Sequence, residues 1–203
     1  MIYRLYEHLL LSRIDKANLP GCVAVVLSSG DLSGVGRQRL CDLIDWSVSL
    51  SLPSLVLYVS DDESLLCREI AGILVRAPAK VSLHTAEGIV ETGRGGPLSV
   101  VISLGYGGKR EVAEAFRGIL QEVECGRISP DQIDEKTIES HLRFCEKPDL
   151  VIRAGGKRLS DFMIWQAAYS ELYFTDVNWK EMRKIDLLRA IRDSQRRNRR
   201  FGR

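Results

Sequence analysis

CVAVVLSSGDLSGVGR, residues Cys22 to Arg37, decides how the rest of the chain is read. Its first six residues are an unbroken apolar run, the mark of a strand buried on both faces. Serines and glycines follow at once, so the strand opens into a loop suited to cradling phosphate. In a sheet enzyme that handles diphosphates, the strand tip is expected to carry an acid that holds a metal ion or moves a proton. Ser28 stands at that tip, which makes it the first question the sequence poses.

Three further apolar runs repeat the strand pattern: SLVLYV from Ser54, LSVVISL from Leu98 and DLVIR from Asp149, with a weaker short one at Lys80 to Leu83. Helical periodicity fills the gaps at residues 2–15, 34–50, 61–76, 111–125 and 184–198, and a shorter helix is expected over 160–168. Ser129-Pro130-Asp131 reads as a helix start continued by IDEKTIESHLRF, and GIVETGRGGP reads as loop. Apolar strands alternating with helices predict an α/β fold, a mostly parallel sheet covered on both faces, in one domain spanning 1–203. Ligands of such sheets bind beyond the carboxyl ends of the strands. The glycine-rich stretches 28–36, 105–108 and 154–156 all fall at such ends.

The chain has 203 residues, 45% of them hydrophobic, enough for a sizeable core. A formal net charge of +2 is too small for a nucleic-acid-binding protein. The C-terminal DSQRRNRRFGR nonetheless holds five arginines against one acid, as a phosphate-facing tail or a solvated helix end. Five scattered cysteines without a C-x-x-C pair point to a reducing cytoplasm. His8, His84 and His141 are too dispersed to argue a metal cluster. MIYRLYEHLLLSRI is too short and too charged to span a membrane and lacks a cleavage pattern, so a soluble protein is expected. An amphipathic first helix, with Ile2, Leu5, Leu9 and Leu10 on one face, still allows peripheral membrane contact.

PDLVIRAGGKRLSDFMIWQAAYSELYFTDVNW and RRNRRFG resemble the cis-prenyltransferases, the family of undecaprenyl and dehydrodolichyl diphosphate synthases. VISLGYGGKREVAEAFRGIL and GRISPDQIDEKTIESHL resemble the family's N-Y-G-G-R-x-E-I segment and the helices after it, so the likeness runs from about Leu98 to the C-terminus. The resemblance implies a dimer that joins isopentenyl diphosphate to an allylic diphosphate with Mg²⁺. Arginines and helix N-termini suit the diphosphates, and a carboxylate-held metal ion suits their departure. By the same resemblance, Arg153, Arg158 and Ser160 form an isopentenyl diphosphate pocket, although the two arginines stand one residue closer than the family's R-x-x-G-x-x-R. Glu171 matches an acid associated with the metal; taken alone it reads as a structural partner. Trp165, Tyr169, Tyr173 and Phe174 around it read as core and dimer packing.

Against the family hallmark H-V-A-x-I-M-D-G-N-x-R-W, the catalytic Asp is Ser28 and the Arg-Trp pair is absent. LVLYVSDDESLL likewise lacks clear counterparts of Y-A-F-S-T-E-N-W, and the chain is short between Ser60 and Leu98. The resemblance then implies a non-catalytic accessory subunit of the Nogo-B receptor type, with no catalytic residue of its own. Such a subunit pairs with a D-G-N-containing homologue that holds the Mg²⁺, and donates Arg200 and Gly202 of its R-x-G to that partner's site. Two alternatives stay open. One is a self-sufficient homodimeric enzyme in which Asp31 moves into the metal site, its plainer reading being a turn residue or helix cap. The other is a protein that only captures polyprenyl diphosphate or scaffolds other proteins.

Overall fold

A computed structural model describes residues 2–60, 64–156 and 161–197. Its centre is a seven-stranded sheet of β1 (Cys22–Leu27), β2 (Ser54–Val59), β3 (Lys80–His84), β4 (Ile89–Thr92), β5 (Ser99–Leu104), β6 (Leu150–Ala154) and β7 (Glu171–Thr175). The order across the sheet is β4-β3-β5-β2-β1-β6-β7, and every pair is parallel except β3 with β4. The expected α/β fold is therefore present.

Alternation along the strands divides the core in two. Val23, Val25, Leu27, Leu55, Leu57 and Ile102 point to the larger half. There they meet Leu10 of α1 (Ile2–Arg13), Leu40 and Leu43 of α2 (Val35–Ser49), Ile70 and Leu74 of α3 (Ser64–Leu74), and Leu187 and Leu188 of α6 (Lys184–Arg196). Ala24, Val26, Val56, Tyr58 and Val101 face the other way, onto Tyr106, Phe144, Phe162 and Met163. This second layer is tied to α4 (Gly108–Glu124) by Glu111, whose carboxylate accepts from the Phe144 amide at 2.8 Å and from Gln166 Nε2 at 3.0 Å. The remaining helix, α5 (Glu135–His141), starts at Asp134, whose side chain accepts from the Thr137 amide at 2.8 Å.

Four readings of the sequence need correction. The expected loop GIVETGRGGP contains β4, because a turn closed by Thr85 and Gly88 sends the chain back along β3. The expected helix over 160–168 is absent among its described residues, which form turns. There Asp161 is drawn to the start of α4, accepting from the Lys109 amide at 2.8 Å through its side chain and from the Gly108 amide at 3.0 Å through its carbonyl. The helix begun at Ser129 is a single 3-10 turn, Pro130–Gln132, and the chain restarts at Asp134. In α1, Leu10 is buried but Leu5 and Leu9 are 75% and 44% exposed. None of the described helices is long and apolar enough to cross a membrane.

The join between β1 and α2 is the tightest backbone contact of the fold. A Cβ on Gly36 would lie 1.7 Å from the Asp31 carbonyl oxygen, while one on Gly30 would meet nothing within 4 Å. Gly36→Ala is therefore expected to cost about 2–3 kcal/mol in urea unfolding, and Gly30→Ala to stay within about 0.5 kcal/mol of the parent. Equal midpoints for the two variants would show that the turn yields freely.

Candidate active site

The parallel strands bring their carboxyl ends to one edge of the sheet, with β1 lying between β2 and β6. At the tip of β1 the Ser28 amide and hydroxyl both donate to Asp31 Oδ2, at 2.8 and 2.7 Å. The carboxylate reaches back because the chain after Ser28 coils into one 3-10 turn, Ser29–Leu32, closed by the Asp31 amide on the Ser28 carbonyl at 3.0 Å. Trp179, fully buried, holds the start of α2 against this turn by donating from Nε1 to the Gly36 carbonyl at 3.0 Å. Lys180 ties the same turn down through Ser33 Oγ at 2.8 Å. An acid thus stands at the strand tip, supplied by residue 31 instead of 28.

Arg153 comes to the same edge from the neighbouring strand. It pairs with Val26 in the ladder and donates from Nη1 to the Val26 carbonyl at 2.8 Å, so its guanidinium lies across the end of β1. Its Nε is buried, with no hydrogen-bond partner among the described residues. Gly155, at φ +64°, turns the chain just beyond, and a Cβ on Gly156 would sit 3.2 Å from that Nε. The carboxylate thus stands in the turn that follows β1, and the guanidinium comes from the neighbouring strand β6. Arg158 and Ser160, expected in the same pocket, lie outside the described residues, as do Arg200 and Gly202.

Glu171 does not join this group within the chain. It pairs with Leu150 at the amino end of β7, four residues before Thr175, and about 13 Å of strand separates it from the carboxyl edge. There it takes an ion pair from Arg197 at 3.4 Å, which is the structural role its sequence also allowed. Among the described residues, no group of three or more His, Cys, Asp or Glu side chains is placed to hold a metal ion. Of the aromatic cluster, Tyr173 packs against the main core while Tyr169 and Phe174 are 68% and 43% exposed.

The loop Gly105 to Gly108 lies at the end of β5, as read, but its anion position is already filled. Asp161 occupies the start of α4, and a Cβ on Gly107 would fall within 2.4 Å of its carboxylate. Nothing in the sequence separates this aspartate from an ordinary surface acid. His84, one of the dispersed histidines, stands at the end of β3. It is 8% exposed, its ring is 5.0 Å from that of Phe144, and its Nδ1 has no partner. Burial first, then the nearby Arg143 charge, push its pKa down to about 4.

Comparison with known proteins places the chain among related sequences and folds. A family model described as putative undecaprenyl diphosphate synthase matches residues 36–202, a span that begins after β1. A tritrans,polycis-undecaprenyl-diphosphate synthase (geranylgeranyl-diphosphate specific) from Methanopyrus kandleri is 31% identical, over 100% of this chain and 92% of its own length. That alignment runs over 250 positions, so at least 47 of them have no residue in this 203-residue chain. Among solved structures, lavandulyl diphosphate synthase from Lavandula x intermedia, in complex with dimethylallyl diphosphate, is similar with a TM-score of 0.74 and 25% identity, covering 91% of this chain and 99% of that one. A probable undecaprenyl diphosphate synthase from Campylobacter jejuni shares the fold with a TM-score of 0.66 and 19% identity, covering 92% and 100%.

The buried imidazole has a measurable signature. Below about pH 6.5 the unfolded chain takes up a proton on His84 that the folded chain refuses until about pH 4. Stability contributed by the neutral ring is thus complete above pH 6.5 and is lost as pH falls towards 4, by about 3 kcal/mol at most. Urea midpoints measured from pH 7 to 4 should fall more steeply for the parent than for His84→Gln. Parallel curves would remove His84 as a source of acid sensitivity.

Proposed function

The chain belongs to the undecaprenyl diphosphate synthase family of cis-prenyltransferases, and from that premise we propose that it joins isopentenyl diphosphate to an allylic diphosphate at the carboxyl edge of its sheet. One observation carries the reading. The Asp31 carboxylate, held by two donors of Ser28, stands at the tip of β1, at the sheet edge to which β6 brings Arg153, which supports a residue three places along serving as the acid that residue 28 lacks. Relatives support this reading, since two that match 99–100% of the chain are named as undecaprenyl-diphosphate synthases.

Mg²⁺ fits this donor set, because it usually takes one or two carboxylates and completes its shell with waters and substrate phosphates. Asp31, with the Ser28 hydroxyl, would hold it, and the ion would offset charge growing on the departing diphosphate. Arg153, Arg158 and Ser160 bind the isopentenyl diphosphate as a fork of cationic and hydroxyl donors. Positioned so, the isopentenyl double bond attacks the allylic C1, the C1–O bond breaks, diphosphate leaves and the isopentenyl unit loses one proton. Geranylgeranyl diphosphate is the first allylic substrate to try, on the relatives' specificity. A second subunit covers the exposed Tyr169 and Phe174, and the arginine and glycine of R-x-G, Arg200 and Gly202, reach its diphosphates.

A second reading has its own support. Residue 28 is a serine, and the family model matches only from residue 36, beyond β1. On that reading the chain is the non-catalytic half of a heteromer whose D-G-N-containing partner holds the Mg²⁺.

Purified chain with Mg²⁺, labelled isopentenyl diphosphate and geranylgeranyl diphosphate should form labelled polyprenyl product on its own. Asp31→Asn should lower kcat by about 100-fold or more, equivalent to about 2.7 kcal/mol of transition-state stabilisation. If the chain alone is inert but an added D-G-N homologue becomes active in its presence, the accessory reading replaces the first. Phe174→Glu should shift the assembled protein towards monomer in sedimentation velocity, whereas Tyr173→Glu should act mainly by unfolding, because Tyr173 faces the core.

A further inference from the structure

We propose that the outer surface formed by α1 and α6 is a docking face for an anionic membrane surface. The two helices pack side by side and run in the same direction. Arg183 lies over the Tyr3 ring at 5.2 Å, Arg189 over Tyr6 at 5.1 Å, and Gln195 accepts from the Asp15 amide at 3.1 Å. Inward, α1 already has its core partners in Leu10 and Ile14. Outward it still presents Leu5, 75% exposed, and Leu9, 44% exposed, so it is apolar on two faces where a surface helix needs one. Leu5, Tyr6, His8, Leu9 and Ser12 line a shallow depression of about 580 Å³ on that outward side.

Charge decides what the leucines meet. α1 and α6 carry six basic and three acidic side chains, a surplus of three against +2 for the entire chain. All three acids are engaged within the protein: Glu7 with Lys184 at 3.1 Å, Asp186 with Arg183 and Arg189, and Asp193 with Arg197 at 2.6 Å. Arg189, Arg192 and Arg196 follow one another at helical spacing and, with Tyr173 and Asp193, line a cavity of about 190 Å³ open to solvent, three cations against one acid that Arg197 already pairs. Two protruding leucines, two tyrosines and a row of arginines make a narrow apolar ridge with a cationic flank. A stable protein interface needs roughly 800 Å² on each side with a largely apolar centre, whereas the exposed apolar side chains here are a few residues flanked by arginines. An interfacial helix needs only a few inserted apolar side chains with basic residues among the headgroups. The inference does not rest on catalysis: it holds for a self-sufficient enzyme and for an accessory subunit alike.

The test uses the purified full chain and vesicles of phosphatidylcholine alone or with 30% phosphatidylglycerol. Co-sedimentation is expected with the anionic vesicles, at least tenfold weaker with phosphatidylcholine alone, and lost in 0.5 M NaCl. Leu5→Gln with Leu9→Gln should reduce the bound fraction several-fold, and Arg192→Glu with Arg196→Glu should do the same without touching the apolar ridge. Both pairs lie on the surface, and unchanged melting temperatures confirm that the fold is intact. Equal binding to both vesicle types, or full binding by both variant pairs, overturns the proposal. So does a change of sedimentation coefficient in the leucine variant without vesicles, because the ridge would then be a contact between protein chains.

Discussion

A missing side chain at Gly36 holds the edge of the sheet together. With no Cβ there, the first turn of α2 closes on the Asp31 carbonyl, and the 3-10 turn after β1 is compressed enough for the Asp31 carboxylate to reach back to Ser28. Trp179 seals the contact from a segment more than 140 residues away, by bonding the Gly36 carbonyl from within the core. Placement of the acid is therefore a property of the tertiary fold, set by a glycine and a tryptophan that never approach a ligand. The turn also explains how a serine at the strand tip is tolerated, since its hydroxyl is a donor for the acid that stands beside it.

The same constraint separates what could be read from the sequence from what could not. β1, β2, β5 and β6 are buried on both faces, and such strands announce themselves as continuous apolar runs. β4 and β7 lie at the two edges of the sheet, where partial exposure mixes polar and apolar residues and hides the strand. Side-chain direction was the other obstacle. Ser28 and Arg153 were legible because a strand end is a place along the chain. Asp31 was legible only as a turn residue, because its reach depends on how the turn coils. Glu171 was assigned to the metal by family likeness, yet as the first residue of a parallel strand it starts at the edge opposite the one where the strand tips meet.

Glycine-rich loops at strand ends were read as equivalent, and the fold treats them differently. At 154–156 the turn leaves the Arg153 guanidinium with an unpartnered Nε, whereas at 105–108 the Asp161 carboxylate is already bonded to the start of α4. An anion at a helix N-terminus is favourable whether it comes from a ligand or from the chain itself. Here the chain supplies it, and in doing so fixes the segment that carries Phe162, Met163 and Gln166 over the second core layer. The glycine-rich loop at 105–108 is thus a structural fastening, which leaves the ends of β1 and β6 as the candidate site.

The crossover from β3 to β5 then limits what can lie beside that edge. Parallel neighbours need a connection of a dozen or more residues, usually through a helix. Here residues 85–98 make the crossing, and four of them form β4, antiparallel to β3, so the segment widens the sheet and contains no helix. Its tight glycines show how little slack is left: Gly93 and Gly96 both have positive φ, and a Cβ on either would meet the carbonyl of Ala79 or Pro78 within 2.6 Å. A helix inserted at this point would have to displace the hairpin. The backbone beside β3 is consequently fixed by the hairpin and its tight glycines.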